Sequence, residues 1–513
     1  MLIFLFYNHQ IFSSLQKNIN LLITFIVEKF LQQGDKTMTE IVTLINDYLW
    51  AKLIVIILVA IGLFLSINFG FLQIRFFPEM IRLLWDGRKN KDKDKKSVSS
   101  LQAFMIGMAA RIGTGNIAGV ATAVALGGPG AVFWMWIIAL IGSASAFVES
   151  TLAQVYKVKD GDAWRGGPAY YMEKGLGNRK LGIAFSILIT LSFGLIFNAV
   201  QANTIAASVE NEFGINNTLT GVILTIITTL IIFGGVHSVA KFSTILVPIK
   251  AGAYILLSVW MMIANYEVLP NVFSAIFSEG LFSFKQLFSG VMGAAVLHGI
   301  RRGLFSNEAG MGSAPNAAAA ADVTHPAKQG FIQALGVILD TFIICSSTVM
   351  IVLVSGEYQT SDLTGIPLTQ ESLRTGIGGF AATFVSISVF LFALSTIMGN
   401  YYYGESNISF MKHSKKTVLL YRVAVILMVL FGALYSAELV WSLADIFMGL
   451  MVLINLYAIT RLSKVAKAVL KDYVAQKKQG RDPVFQADSI SNLPGREKLE
   501  AWTEEQKSNK QVV

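Results

Sequence analysis

The chain has 513 residues, of which 54% are hydrophobic and only 14% charged, and its mean hydropathy is +0.59, whereas ordinary soluble domains carry roughly 25% charged residues. That balance excludes a water-soluble globule. The apolar residues fall in separate blocks of about 20, the length an α-helix needs to cross a hydrocarbon core about 30 Å thick, which indicates an all-α polytopic membrane protein. The single cysteine, Cys345, lies inside an apolar block, so no intrachain disulfide framework exists and the residue reads as a small core side chain. The formal charge of +9 has two readings, nucleic acid or membrane orientation, and the position of the basic residues decides between them.

Residues 1–37 read as an N-terminal extension, upstream of an alternative start at Met38. Residues 21–27 are apolar, but Glu28 and Lys29 cut the block short of a span. No basic region precedes it and no small-residue cleavage site follows, so it is a poor signal peptide. Apolar windows then predict eleven spans, at about 52–74, 101–127, 131–156, 182–206, 218–236, 242–264, 289–322, 330–355, 376–402, 417–435 and 439–461. Basic residues gather in alternate connections, for example Arg75, Arg82, Arg88, Lys89, Lys91, Lys93, Lys95 and Lys96 after the first span. The intervening connections are neutral or acidic, with Glu210, Glu212, Glu357, Asp362 and Glu371. By the positive-inside rule the first span starts outside and the tail is cytoplasmic, so the charge reports orientation in a plasma membrane and argues against nucleic acid.

Two spans are unlike the rest. The second carries Gly113, Thr114, Gly115 and Asn116 about twelve residues in, and the seventh carries Gly303 through Gly312 with Ser306, Asn307 and Glu308 among them. Glycine is the available helix breaker in a chain with 10 prolines, and unwound backbone at bilayer depth is tolerated only where protein or a water-filled cavity satisfies it. Breaks heading two five-span units, 101–264 and 289–461, predict an inverted repeat. An accessory span and basic loop over 38–100 precede the repeat, and a charged tail over 462–513 follows, expected as a membrane-surface helix with a loose end. The repeat rests on topology and on matching break positions, not on side-chain similarity.

Several motifs carry a resemblance to a known family. They are RIGTGNIAGVATA at 111–123, GGPGAVFWMW at 127–136, RGGPAYY at 165–171, FSNEAGMGSAP at 305–315, the stretch from His325 and Pro326 through Asp340 and Thr341 to Cys345, and YYYGE at 401–405. Together, in this order from about 60 to 462, they resemble the alanine or glycine:cation symporter family. The resemblance implies a sodium:amino-acid symporter of the bacterial or archaeal plasma membrane with an inverted-repeat fold of the leucine-transporter type.

A zwitterionic amino acid needs donors at one end of its site and acceptors at the other, and broken helices supply both. Thr114, Gly115 and Asn116 are the expected carboxylate end. Ser306 and Asn307 read as the N-cap of a helix start, with Glu308 balancing Arg301 or Arg302 or facing the ammonium. Asn198 and Gln201, three apart, share a face, and the resemblance puts this stretch beside the substrate. Fold analogy assigns sodium to carbonyls around Gly113 and Ala393 with the hydroxyls of Ser395 and Thr396. Asn400 stands where the resemblance implies a bulky aromatic in some relatives, which enlarges or polarises the pocket.

Arg111 is too deep to snorkel and needs a partner; Asp340, similarly deep, is a candidate partner for a cation or a ligand for sodium, and Asp445 and Glu149 are the other candidates. His237, His298 and His325 form no metal-like cluster, so no transition-metal site is expected, and no nucleophile-and-base pair suggests an enzyme. The leading reading is sodium-coupled uptake of alanine or glycine, with D-alanine or serine as variants, Na+ as the coupling ion and no cofactor. The alternatives are a sodium:glutamine symporter and a proton-coupled amino-acid transporter using Glu308, Asp340 or His298. A channel would conduct without saturation.

Overall fold

The computed structural model describes residues 45–89, 98–161, 163–233, 235–288, 293–412 and 414–502. The extension 1–37 and residues 38–44, which precede the accessory span, lie outside the described residues. Helix α1 (Val55–Asn68) follows a π-helical turn, Trp50–Ile54, and the amphipathic α2 (Phe77–Lys89) comes next. Helix α3 (Ser100–Arg111) starts on a capping box. Ser99 Oγ accepts from the Gln102 N–H at 3.2 Å while Gln102 Oε1 accepts from the Ser99 N–H at 2.9 Å, so two donors at a helix start are satisfied reciprocally. The chain leaves the helix over 112–114, resumes in a π turn, Gly115–Gly119, and continues as α4 (Val120–Gly127).

Next come α5 (Gly130–Val155), α6 (Arg179–Phe213), α7 (Asn217–Ile232), α8 (Gly235–Ala264) and α9 (Leu269–Phe288). Then α10 (Ala294–Asn307) and the short α11 (Pro315–Ala319) flank a second interruption. The remaining helices are α12 (Pro326–Ser355), α13 (Gly365–Ile377), α14 (Gly379–Met411), α15 (Lys415–Leu434) and α16 (Ala437–Lys478). Among the described residues, seven helices are long and apolar enough to cross a membrane: α5, α6, the Thr244–Ala264 part of α8, α12, α14, α15 and α16. This is fewer than the eleven expected spans. The two interruptions divide two of the expected spans into short pieces, and α1 and α7 have only 14 and 16 residues.

Small residues let the helices approach closely. A Cβ on Gly303 of α10 would come within 3.0 Å of Ile138 on α5, and one on Gly142 of α5 within 2.9 Å of Ala309. Helix α12 packs along the same α5, whereas α6 lies against α14 and α15. The outward faces of α7 and α15 stay apolar: Leu219, Ile226, Leu230, Leu420 and Leu427 are exposed, as lipid-facing positions require.

Two expectations need correcting. The fold is not purely helical, because β1 (Val158–Asp160) and β2 (Ala163–Arg165) pair as an antiparallel hairpin, with Gly161 at φ +60 in its tight turn. The tail is not loose before residue 503 either. Helix α16 runs unbroken through the expected boundary at 461/462, and the segment after it folds back: the Phe485 N–H donates to Thr324 O at 2.9 Å, Tyr156 OH to Pro494 O at 2.9 Å, and Trp502 Nε1 to Gln154 O at 2.9 Å.

Candidate substrate and ion site

At the first interruption the Ile112 N–H still donates to Met108 O at 2.8 Å, but Ile112 itself leaves the helix at φ −75 and ψ 84. The last carbonyls of α3 therefore lack helical partners. Thr396 Oγ1 on α14 lies 2.9 Å from Ala109 O and 3.3 Å from Ile112 O, and Lys250 Nζ on α8 donates to Ile112 O at 2.6 Å. On the other side of the gap, the Gly113 N–H donates to Asn116 Oδ1 at 2.9 Å and the Thr114 N–H to Gln201 Oε1 at 3.1 Å. Gly113 is dictated by crowding: a Cβ there would collide with Thr396 Oγ1 and lie 3.0 Å from Gln201 Oε1.

The second interruption corrects the N-cap expectation. Ser306 and Asn307 end α10, Glu308 closes it in the left-handed region at φ +59, and the helix resumes only at Pro315. Their short polar side chains still serve the turn, since Asn307 Oδ1 accepts from the Ala309 N–H at 3.0 Å. Glu308 faces neither Arg301 nor Arg302. Its Oε2 accepts from Ser313 Oγ at 2.6 Å, while both arginines reach Asp445, Arg302 at 2.9 Å and Arg301 at 3.4 Å. Arg302 also covers the Trp441 ring at 4.7 Å, and Trp441 packs on Phe305 with centroids 4.8 Å apart.

Asp340 joins the two interruptions. It opens the π turn Asp340–Cys345 in α12, which brings residues five apart onto one face. Asp340 Oδ1 accepts from Asn116 Nδ2 at 2.7 Å and Oδ2 from Ser306 Oγ at 2.7 Å. Cys345 Sγ lies 3.4 Å from Asn116 Nδ2 and 3.1 Å from Ser306 Oγ, so it belongs to this polar cluster and is not merely a core filler. Thr348 Oγ1 donates to Asn116 O at 2.6 Å and lies 2.7 Å from Tyr254 OH. The whole cluster is buried.

Other expected residues fall around it less directly. Asn198 Nδ2 donates to Gly194 O of its own helix at 2.8 Å, leaving Oδ1 buried without a hydrogen-bond partner among the described residues. Thr114 Oγ1 and both amide atoms of Asn400 are in the same condition. Asn400 sits four residues after Thr396, on the face of α14 that touches the first interruption. Gly115 packs against Phe305, to which a Cβ would approach within 2.9 Å. Ala393 and Ser395 are buried on α14, and Ser395 Oγ accepts a close hydrogen bond from Lys250 Nζ.

Arg111 contacts none of its expected carboxylates. It donates to Gln333 Oε1 at 3.2 Å, and its Nε and Nη2 are buried without hydrogen-bond partners among the described residues. Glu149 instead accepts from Asn455 Nδ2 at 2.7 Å. His298 on α10 and His325 before α12 are far apart in use, the latter capping its helix by accepting the Ala327 N–H at 3.1 Å. The His237 side chain lies outside the described residues. A cavity of about 560 Å³ opens elsewhere, beside the β-hairpin among Lys159, Arg165, Glu173 and Lys498. It contains none of the residues that join the interruptions. The buried polar cluster is the better site because its unpartnered polar atoms are costly without a ligand or water to satisfy them.

Residues 35–487 match the sodium:alanine symporter family. The chain belongs to that family. Among this symporter's relatives, the amino-acid carrier protein AlsT of Bacillus subtilis is 53% identical over 466 residues, covering 91% of this chain and 98% of its own. The probable sodium/glutamine symporter GlnT of the same organism is 51% identical over 477 residues, covering 92% and 98%. The crystal structure of MhsT in complex with L-phenylalanine shares the fold, with a TM-score of 0.52 at 17% identity over 70% of this chain and 89% of the other. The family membership makes the chain a multi-pass transporter of the amino-acid symporter class rather than an enzyme.

The sequence marks Asp340 as a partner for a buried cation, a sodium ligand or a proton carrier, but not as the link between the two interruptions, and it gives no role to Lys250 or Thr348. Lys250 carried a signal, since it is a lone lysine in the middle of an apolar span, and an intramembrane charge is a functional candidate by default. Thr348 carried none beyond its hydroxyl.

Proposed function

We propose that this member of the family carries a small neutral amino acid, alanine or glycine, with D-alanine and serine as close variants, into the cell together with Na+ by alternating access. The observation that carries the reading is the clasp of Asp340 on Asn116 and Ser306, 2.7 Å from each, which holds two interrupted helices face to face. The N–H groups of 113–116 suit the substrate carboxylate, and the carbonyl end of α10, with Ser306, Asn307 and Glu308, suits the ammonium. Gln201 positions Thr114, and Asn198 lines the same helix face. Gly113, Ala393, Ser395 and Thr396 gather the neutral oxygens that sodium prefers.

In this reading the chain crosses the plasma membrane eleven times, as an accessory span and two inverted five-span units over 101–264 and 289–461, in the leucine-transporter manner. The first span starts outside and the tail is cytoplasmic. One sodium ion moving down a potential of 100 mV supplies about 2.3 kcal/mol before any concentration term. Uptake of labelled alanine into proteoliposomes tests the reading: it should saturate and require an inward sodium gradient. Equal uptake with potassium replacing sodium would remove the sodium claim, and uptake driven by a pH gradient instead would favour proton coupling.

Asn400 favours a second reading, glutamine as substrate. Both of its amide atoms are buried without partners among the described residues, so a substrate amide would satisfy them, and the relative GlnT is named a probable sodium/glutamine symporter. Unlabelled glutamine should then compete with alanine, and Asn400→Leu should abolish that competition while sparing alanine.

A further inference from the structure

The proposed ion position already has a basic occupant. Lys250 is buried on α8, with Nζ donating to Ile112 O at 2.6 Å and to Ser395 Oγ, and lying 4.7 Å above the Phe392 ring. None of the ion pairs among the described residues includes it, and it takes instead the other partner open to a charge at bilayer depth, a backbone carbonyl. Asp340, the carboxylate of the site, is committed to Asn116 and Ser306. The immediate surroundings of Nζ are a carbonyl freed by a helix interruption, a hydroxyl and an aromatic face. That is the ligand chemistry of a small monovalent cation.

We propose that the Lys250 amino group is a tethered substitute for sodium: it occupies the ion position between Ile112 and Ser395, and sodium binding requires it to leave those two oxygens. The proposal rests on the sodium-coupled reading above and adds a determinant of how tightly sodium is held. While the amino group is in place it fastens the end of α3 to α14, so the interruption stays ordered before the ion arrives. The means of withdrawal is built into α8. Pro248, inside the helix two residues earlier, removes one backbone hydrogen bond and is a natural bending point. Gly252, two residues later, has open space around its Cα, since an added Cβ would meet nothing within 4 Å.

The test is the sodium concentration that half-saturates alanine uptake in proteoliposomes, at one fixed pH, for the wild-type chain and for Lys250→Met. Methionine keeps the length and apolar stem but cannot compete for the oxygens, so the half-saturating sodium concentration should fall at least tenfold. An unchanged or higher value in Lys250→Met that elutes as a folded protein overturns the proposal. A second measurement needs no variant: acylation of Lys250, followed by mass spectrometry, should rise at least threefold in sodium relative to choline. Equal labelling overturns it as well. Wild-type uptake that ignores sodium altogether instead defeats the symport reading, whereas sodium-dependent uptake that Lys250→Met leaves untouched defeats only the assignment of Lys250.

Discussion

Asp340→Ala removes the acceptor that joins the two interruptions. Two hydrogen bonds at 2.7 Å disappear, and hydrogen bonds to a charged group are each worth about 1.5–3 kcal/mol. The full loss of about 3–6 kcal/mol is reduced because Cys345 Sγ remains 3.4 Å from Asn116 Nδ2 and 3.1 Å from Ser306 Oγ. A weak sulfur acceptor cannot replace both bonds, so about 3 kcal/mol should remain, roughly a hundredfold in an equilibrium constant. Asp340→Asn is milder. Its amide oxygen can accept from Asn116 and its amide nitrogen can donate to the Ser306 hydroxyl, which turns to accept; only the charge is lost, worth about 1.4 kcal/mol or tenfold. The assay is alanine half-saturation in sodium-driven uptake, with thermal unfolding of the purified protein as the stability control. Half-saturation should rise about tenfold in Asp340→Asn and about a hundredfold in Asp340→Ala. Wild-type half-saturation and wild-type melting in Asp340→Ala would refute the view that this carboxylate clasps the site.

Gly113→Ala forces a Cβ against Thr396 Oγ1, and overpacking typically costs about 1–3 kcal/mol; the half-saturating sodium concentration should rise at least tenfold, measured by uptake. Asp445→Asn leaves Arg302, which is 6% exposed, without its carboxylate, a change that costs about 3–5 kcal/mol when a buried pair is broken; melting should fall by several degrees, and Arg302→Met in the same chain should recover most of it. Burial holds His325 below its ordinary value of 6.5, outweighing Asp472, so the folded chain keeps it neutral. As pH falls through about 6.5 the unfolded chain takes up the proton first, so stability is full above that pH and declines below it; the melting temperature should drop between about pH 7 and pH 5, and His325→Asn should flatten that drop. Glu79 titrates far lower: burial raises its pKa, but hydrogen bonds from Arg82 and Tyr473 prevail and bring it to about 2. Its contribution is therefore full above its ordinary value of 4.5 and is lost progressively as pH falls from there through about 2, outside the window assigned to His325.

Much of the architecture was legible because lipid imposes it. Long apolar windows located α5, α6, α12, α14, α15 and α16, and the glycine-rich polar text coincides with the points where α3 and α10 end. Direction at the second interruption was not legible. Ser306, Asn307 and Glu308 have the composition of a helix start, but the left-handed turn at Glu308 and the packing of Gly310 and Gly312 against Leu456 and Pro168 decide that they end one. Partners of buried charges were also beyond the sequence, since they are matched across the fold. Arg111 meets Gln333, 222 residues away, and Lys250 meets Ile112 and Ser395, 138 and 145 residues away. The folded-back tail gave no signal because its contacts, such as Trp502 on Gln154 and the Phe485 N–H on Thr324 O, are isolated hydrogen bonds from a polar segment.

The central claim is that one buried site couples an amino acid to sodium, and equilibrium binding to the purified protein tests it most directly. Alanine affinity measured calorimetrically in sodium and in potassium should differ at least tenfold, and sodium affinity should rise by the same factor when alanine is present, because coupling between two sites is reciprocal. Alanine binding equally well in both salts, with sodium affinity indifferent to alanine, would contradict the account.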